Sequence, residues 1–155
     1  IVVDVKGPTS WKRTGNWTSS PGKSDIGGHL HWTTTTSGRA TATATWTTRL
    51  HSPGRYEVGV FVNDNHATSS WAPYTIYSSD PRHPSTVVRH VVHVDMSHVG
   101  SFAGPLGHVN TGPVWVSLGS YYFHPSHPAR VVLSNATGGS GSQLAADAVE
   151  FVRHG

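Results

Sequence analysis

The chain has 155 residues and no cysteine, and 11 Lys and Arg against 8 Asp and Glu leave a formal charge of +3 with histidine neutral. The length suits one domain that buries roughly 68–70% of its unfolded surface, and the lack of Cys excludes a disulfide framework and thiolate chemistry. Charged residues make up only 12%, and the cations form no run beyond Lys12-Arg13, which argues against nucleic acid or an anionic membrane as partner.

No apolar run approaches the length of a membrane span. The chain opens on Ile1-Val2-Val3 without Met, which reads as a piece of a longer protein. Residues 1–5 form a short predicted strand, stopped by Gly7-Pro8. Trp11 and Trp17 flank Thr14-Gly15, and residues 21–28 read as a loop. Residues 38–48 alternate most cleanly. Ala40, Ala42, Ala44 and Trp46 share one face, and Thr41, Thr43, Thr45 and Thr47 the other. Residues 55–62 follow, with Tyr56, Val58, Val60 and Val62 on one side. A short strand at residues 73–78 carries Tyr74 and Ile76. Residues 86–96 are the longest strand. Val88, His90, Val92, Val94 and Met96 point in, and Val87, Arg89, Val91, His93 and Asp95 point out.

A long Gly- and Pro-containing loop at residues 97–113 leads to residues 114–135, read as a hairpin. Val114, Val116 and Leu118 share a parity that shifts after Gly119 to Tyr121 and Phe123, which predicts a β-bulge or bend. Pro125 and Pro128 cannot continue a central strand, and Val131 and Leu133 restart the apolar face. Residues 144–152 form the last strand, although residues 143–151 also have helical composition. About nine short antiparallel strands predict an all-β fold, a jelly-roll-like β-sandwich.

Six Trp are available. Trp46 and Trp115 sit in strand alternation and are assigned to the core. Trp32 and Trp71 lie beside polar residues, near His29, His31, Asn65 and His66. A flat ring stacks on the C–H face of a sugar while polar neighbours take its hydroxyls, so these six are the candidate ligand-binding residues. The alternative is that the two rings cap an end of the sandwich. Twelve histidines are many for this length. His29 and His31 share a strand face, a geometry that can bind metal, with His66, His98, His108 or Asp95 as third ligand. The plainer alternative is solvated, hydroxyl-bonded imidazoles. Asp4 and Asp147 fall on the first and last strands and are candidate carboxylates for a structural Ca²⁺; alternatively Asp147 fixes a turn. No pair of acids for a glycosidase can be assembled, and residues 138–142 are no nucleophile elbow, because position 142 is Ser. Asn16-Trp17-Thr18 and Asn135-Ala136-Thr137 are glycosylation sequons.

The motifs TGNWTSS, ATATWT, PGRYEVGVFV, APYTIY, WVSLGSYYF, RVVLSN and ADAVEF follow one another across residues 1–152. In this order they resemble the golvesin C-terminal-like domain, also called the xanthan-lyase carbohydrate-binding-like domain. The resemblance implies a jelly-roll-like sandwich, an accessory place on secreted bacterial enzymes, carbohydrate binding and no catalytic residues. It also implies that Trp46, Tyr56, Tyr74, Trp115, Leu118 and Phe123 are core. The sequence departs from the family at residues 27–32 and in the long segment between Val94 and Trp115, which carries His98 and His108.

The resulting expectation is a single non-catalytic module, residues 1–155, of a secreted, extracellular protein. Its partners would be a polysaccharide or other glycan and an adjacent catalytic domain in the same chain, not nucleic acid or membrane. Two alternatives stand beside it: a structural domain that packs on a neighbouring catalytic domain, and a metal-dependent hydrolytic site in the His-rich loops.

Overall fold

The computed structural model describes residues 2–4, 11–21, 29–63, 66–99 and 114–154. Twelve strands run through them, and no helix occurs among the described residues. In chain order they are β1 (Val2–Asp4), β2 (Trp11–Thr14), β3 (Thr18–Pro21), β4 (His29–Thr34), β5 (Thr43–Thr48) and β6 (Gly54–Val62). Then come β7 (Ala72–Ser79), β8 (Val87–Val94), β9 (Val114–Phe123), β10 (Ala129–Ser134), β11 (Gln143–Ala146) and β12 (Ala148–Arg153).

The strands form a β-sandwich. A four-stranded sheet, β1-β12-β6-β9, faces a five-stranded sheet, β2-β5-β10-β7-β8, and a three-stranded sheet, β11-β4-β3, adds to it. Every ladder is antiparallel. The apolar alternation explains the layering, since period-2 faces must be covered. Val58, Val60, Val149, Phe151 and Phe123 from one sheet and Trp46, Tyr74, Ile76, Val131 and Leu133 from the other are all buried in one core. Phe123 meets Phe151 edge-on, with centroids 5.6 Å apart. Leu30 and Leu144 of the three-stranded sheet join the same core.

The predicted bulge is present. Val58 opposes Gly119 while Gly59 opposes Ser117, so Leu118 is the extra residue. Gly119 has φ +107°, a region that side chains disfavour. The Tyr121 hydroxyl bends back and donates to the Leu118 carbonyl at 2.6 Å, which ties the bulge shut.

Several expectations need correction. Residues 114–135 are not a hairpin: β9 and β10 lie in different sheets, and residues 124–128 cross between them. Arg49 donates to the Pro125 carbonyl (3.2 Å), and Ser126 Oγ donates to that of Pro84 (2.9 Å), holding the crossover in place. The last strand is two strands, split at Asp147, where the chain leaves the three-stranded sheet for the four-stranded one. The strand expected at residues 38–48 begins only at Thr43, and Ala40 is exposed. The polar strands β2 and β3 lack apolar alternation. Each lies at the edge of its sheet, where only one neighbour is needed. Trp115 is not core: it pairs with Phe61 across the outward face of the four-stranded sheet, half-buried, in an edge-on contact of 5.1 Å.

Candidate functional site

The four ligand candidates whose side chains are described separate into three places. Trp32 and His31 are successive residues of β4 and so point to opposite faces. Trp32 is half-buried, and its ring lies flat on His66, with centroids 4.4 Å apart and planes within 5°. His66 holds a left-handed φ of 57°, and its Nδ1 is 3.0 Å from Gln143 Oε1. One face of each ring is therefore already taken. His31 instead packs at a tilt against Trp11, at 4.6 Å. Trp71 stands apart from both pairs. It is 55% exposed and stacks on His93, with centroids 4.0 Å apart and planes within 11°. The side chain of His29, and Asn65 altogether, lie outside the described residues.

Of the metal candidates, the described His31, His66 and His98 fall at separate places. β1 pairs with β12, as expected of first and last strands, and sets Asp4 opposite Ala148. Asp147, beside it in sequence, is buried, and its carbonyl accepts from Trp46 Nε1 at 3.2 Å. Its carboxylate and, above all, burial push the Tyr74 hydroxyl well above the usual tyrosine range. The side chain of Asp4 and the whole of His108 lie outside the described residues. His98 bonds to Asp95 and Ser97, while His66 sits with Trp32. Among the described residues no group of three His, Asp or Glu converges as a metal site.

His90 and His93 point to opposite sides of β8, as their spacing requires. His90 tilts inward onto Tyr121 at 4.5 Å, and His93 faces out beneath Trp71. Outward therefore means the open face of the five-stranded sheet. The register carries one row across it: Thr47 opposite Arg130, Arg130 opposite Tyr77, and Tyr77 opposite Arg89. The Arg130 guanidinium lies 3.9 Å above the Tyr77 ring centroid. A hollow of about 310 Å³ opens there, lined by Thr47, Tyr77, Val87, His127, Pro128 and Arg130. Ser79 Oγ and His127 Nε2 are 2.8 Å apart at its rim, and the His124 N–H donates to Ser79 Oγ at 3.0 Å. Parity alone assigned Arg89 to the outward face. It could not find the row, because only the strand order β10-β7-β8 brings Arg130, Tyr77 and Arg89 together.

Comparison with known proteins fits this architecture. Xanthan lyase of Bacillus sp. (strain GL1) is 27% identical over 157 residues, and the chain spans only 15% of that relative's length. The structure of a Paenibacillus xanthan lyase superposes with a TM-score of 0.72 at 20% identity, over 99% of this chain and 13% of that one. A family 35 carbohydrate binding module from Clostridium thermocellum superposes with a TM-score of 0.53 at 12% identity, over 98% of both chains. The model of the Golvesin C-terminal domain matches residues 1–108, which is most of the chain, and the protein belongs to that family.

Proposed function

We propose that this chain is a non-catalytic carbohydrate-binding module, carried by a secreted enzyme that acts on polysaccharide. The observation that carries the reading is Trp71: it is 55% exposed, braced flat against His93, and set at one end of an open sheet face. Beyond it Thr75, Thr45 and Thr47 offer hydroxyls between exposed valines. Rigid aromatic rings beside polar side chains are what sugar recognition uses. Likeness to a carbohydrate binding module and to one stretch of xanthan lyases supports the role. The described carboxylates favour no catalytic pair. Asp147 is buried, Asp95 is held by Ser97 and His98, and Glu57 and Glu150 lie on the outer face of the other sheet. The test is affinity electrophoresis of the chain and of Trp71→Ala in gels containing xanthan. Retardation of the parent and its loss in the variant support the reading; equal mobility of both with and without polysaccharide overturns it.

A second reading, packing against a neighbouring domain, is favoured by Val87 and Val91, which are 51% and 48% exposed on that same face. Retardation by free polysaccharide decides between them.

A further inference from the structure

The face that presents Trp71 also has a charge. Its outward positions on β2, β5, β10, β7 and β8 include Lys12, Arg130 and Arg89, and none of them is Asp or Glu. The outer face of the four-stranded sheet, by contrast, carries Glu57 and Glu150. Of the described acids bordering the basic face, Asp80 Oδ1 accepts the Arg82 backbone N–H at 2.8 Å, and Asp95 is held by Ser97 and His98. Among the described residues neither Arg130 nor Arg89 pairs with a carboxylate. Two unpaired guanidinium groups thus flank the Tyr77 ring in one row, and Arg130 lies over that ring beside an open hollow.

A guanidinium carried over an aromatic ring has N–H edges that can meet a planar, two-oxygen partner such as a carboxylate. Val87 and Val91 supply apolar contact on either side of Arg89 along β8; Thr47 stands in the row of the two arginines, and Thr45 and Thr75 stand in the next. From His93 to Val87 the strand covers roughly 20 Å at about 3.3 Å per residue, long enough for several sugar units. Three fixed cations are few for a nucleic acid, whose binding needs many phosphates neutralised. They suit a chain with an occasional carboxylate and apolar C–H faces between.

We propose that the outer face of the five-stranded sheet binds an acidic polysaccharide, with Arg130 and Arg89 meeting the carboxylates of uronate-type units and Tyr77 and Trp71 supporting the sugar rings. The assignment rests on the glycan-binding reading and adds the charge of the ligand.

The experiment measures affinity of the 155-residue chain for xanthan, alginate and polygalacturonate, each also in carboxyl-reduced form. It is repeated with Arg130→Gln, Arg89→Gln, Arg130→Lys and Trp71→Ala. These side chains are exposed, so unchanged melting temperatures confirm that the variants fold. The expected result is binding to at least one acidic polymer that falls tenfold or more on carboxyl reduction and in both Gln variants. Added salt weakens it, and Arg130→Lys retains part of it. Equal binding of native and reduced polymers, with the Arg variants unaffected and Trp71→Ala impaired, overturns the acidic assignment and leaves the glycan reading standing. Binding to no polymer overturns both. Tighter binding to single-stranded DNA than to any polymer, or self-association that Arg130→Gln abolishes, gives the face another occupant and overturns the proposal.

Discussion

Asn135 holds Thr41 by both ends of its side-chain amide: Oδ1 accepts the Thr41 N–H at 3.0 Å, and Nδ2 donates to Thr41 Oγ1 at 2.8 Å. Oδ1 also accepts the Ala42 N–H (3.0 Å), and Nδ2 donates to the Thr34 carbonyl (3.0 Å), so every bonding site of the amide is used. One buried side chain therefore fixes the end of β4, the start of β5 and the end of β10. Asn135→Ala leaves the buried Ala42 N–H without its acceptor, at a cost of about 1–3 kcal/mol. Thermal melts should show a fall of roughly 2–10 °C for a domain of this size. Asn135→Asp should fall further at pH 7, because a buried carboxylate then faces the Thr34 carbonyl. The sequon at Asn135 is closed to modification in the folded protein for the same reason.

Trp32 and Trp71 looked equivalent as ligand candidates and should behave oppositely. Trp71→Ala removes an exposed ring, so stability should change by no more than about 0.5 kcal/mol while retardation by polysaccharide is lost. Trp32→Ala removes a ring packed against the core and His66, and should destabilise by about 1–3 kcal/mol. Parallel melts and affinity gels on the two variants check both statements.

Alkaline pH should unfold the protein through Tyr74. Burial, and secondarily the Asp147 carboxylate, raise its pKa in the fold, so the neutral hydroxyl is the form the native state tolerates. Its contribution is complete below the unfolded value of about 10 and is lost as pH rises through the folded value, at up to ~1.4 kcal/mol per pH unit. Burial moves Tyr121 in the same direction. Melting temperatures between pH 8 and 11.5 should decline above pH 10, and less steeply in Tyr74→Phe.

The bulge in β9 should be sensitive to small changes. A Cβ at Gly119 would lie 3.0 Å from the Tyr121 hydroxyl in a backbone region with φ +107°. Gly119→Ala should therefore destabilise by more than the ~1 kcal/mol that glycine ordinarily costs elsewhere. Tyr121→Phe, which loses only the bond to the Leu118 carbonyl, should cost about 0.5–1.5 kcal/mol. Denaturant titration of both variants orders the two effects.

Faces were legible in the sequence where alternation was strong. Ala44 and Trp46, Val58 and Val60, and the two sides of β8 all lie where parity put them. The bulge was legible because Gly119 coincides with a parity shift. Beyond the pairing of the first and last strands, strand neighbours were not legible. Nothing local in residues 114–135 reveals that β9 and β10 join different sheets, and β2 and β3 have no apolar pattern to find. The candidate site suffered most from this. Trp71 could be singled out by its polar surroundings, but Arg130, Tyr77 and Arg89 come from distant segments that only the β10-β7-β8 pairing assembles.

The order of the strands has a kinetic consequence. Of the nine ladders among the described residues, only β3–β4 and β7–β8 join strands that follow one another in the chain; β1 must wait for β12, and β2 for β5. Long loops must close before most contacts reward them, which places refolding in the slow range of milliseconds to seconds typical of all-β topologies. Until β12 arrives, β6 has only β9 beside it, and its free edge can pair with another chain. Yield on refolding should therefore depend on protein concentration far more steeply than the stability of the finished sandwich would suggest.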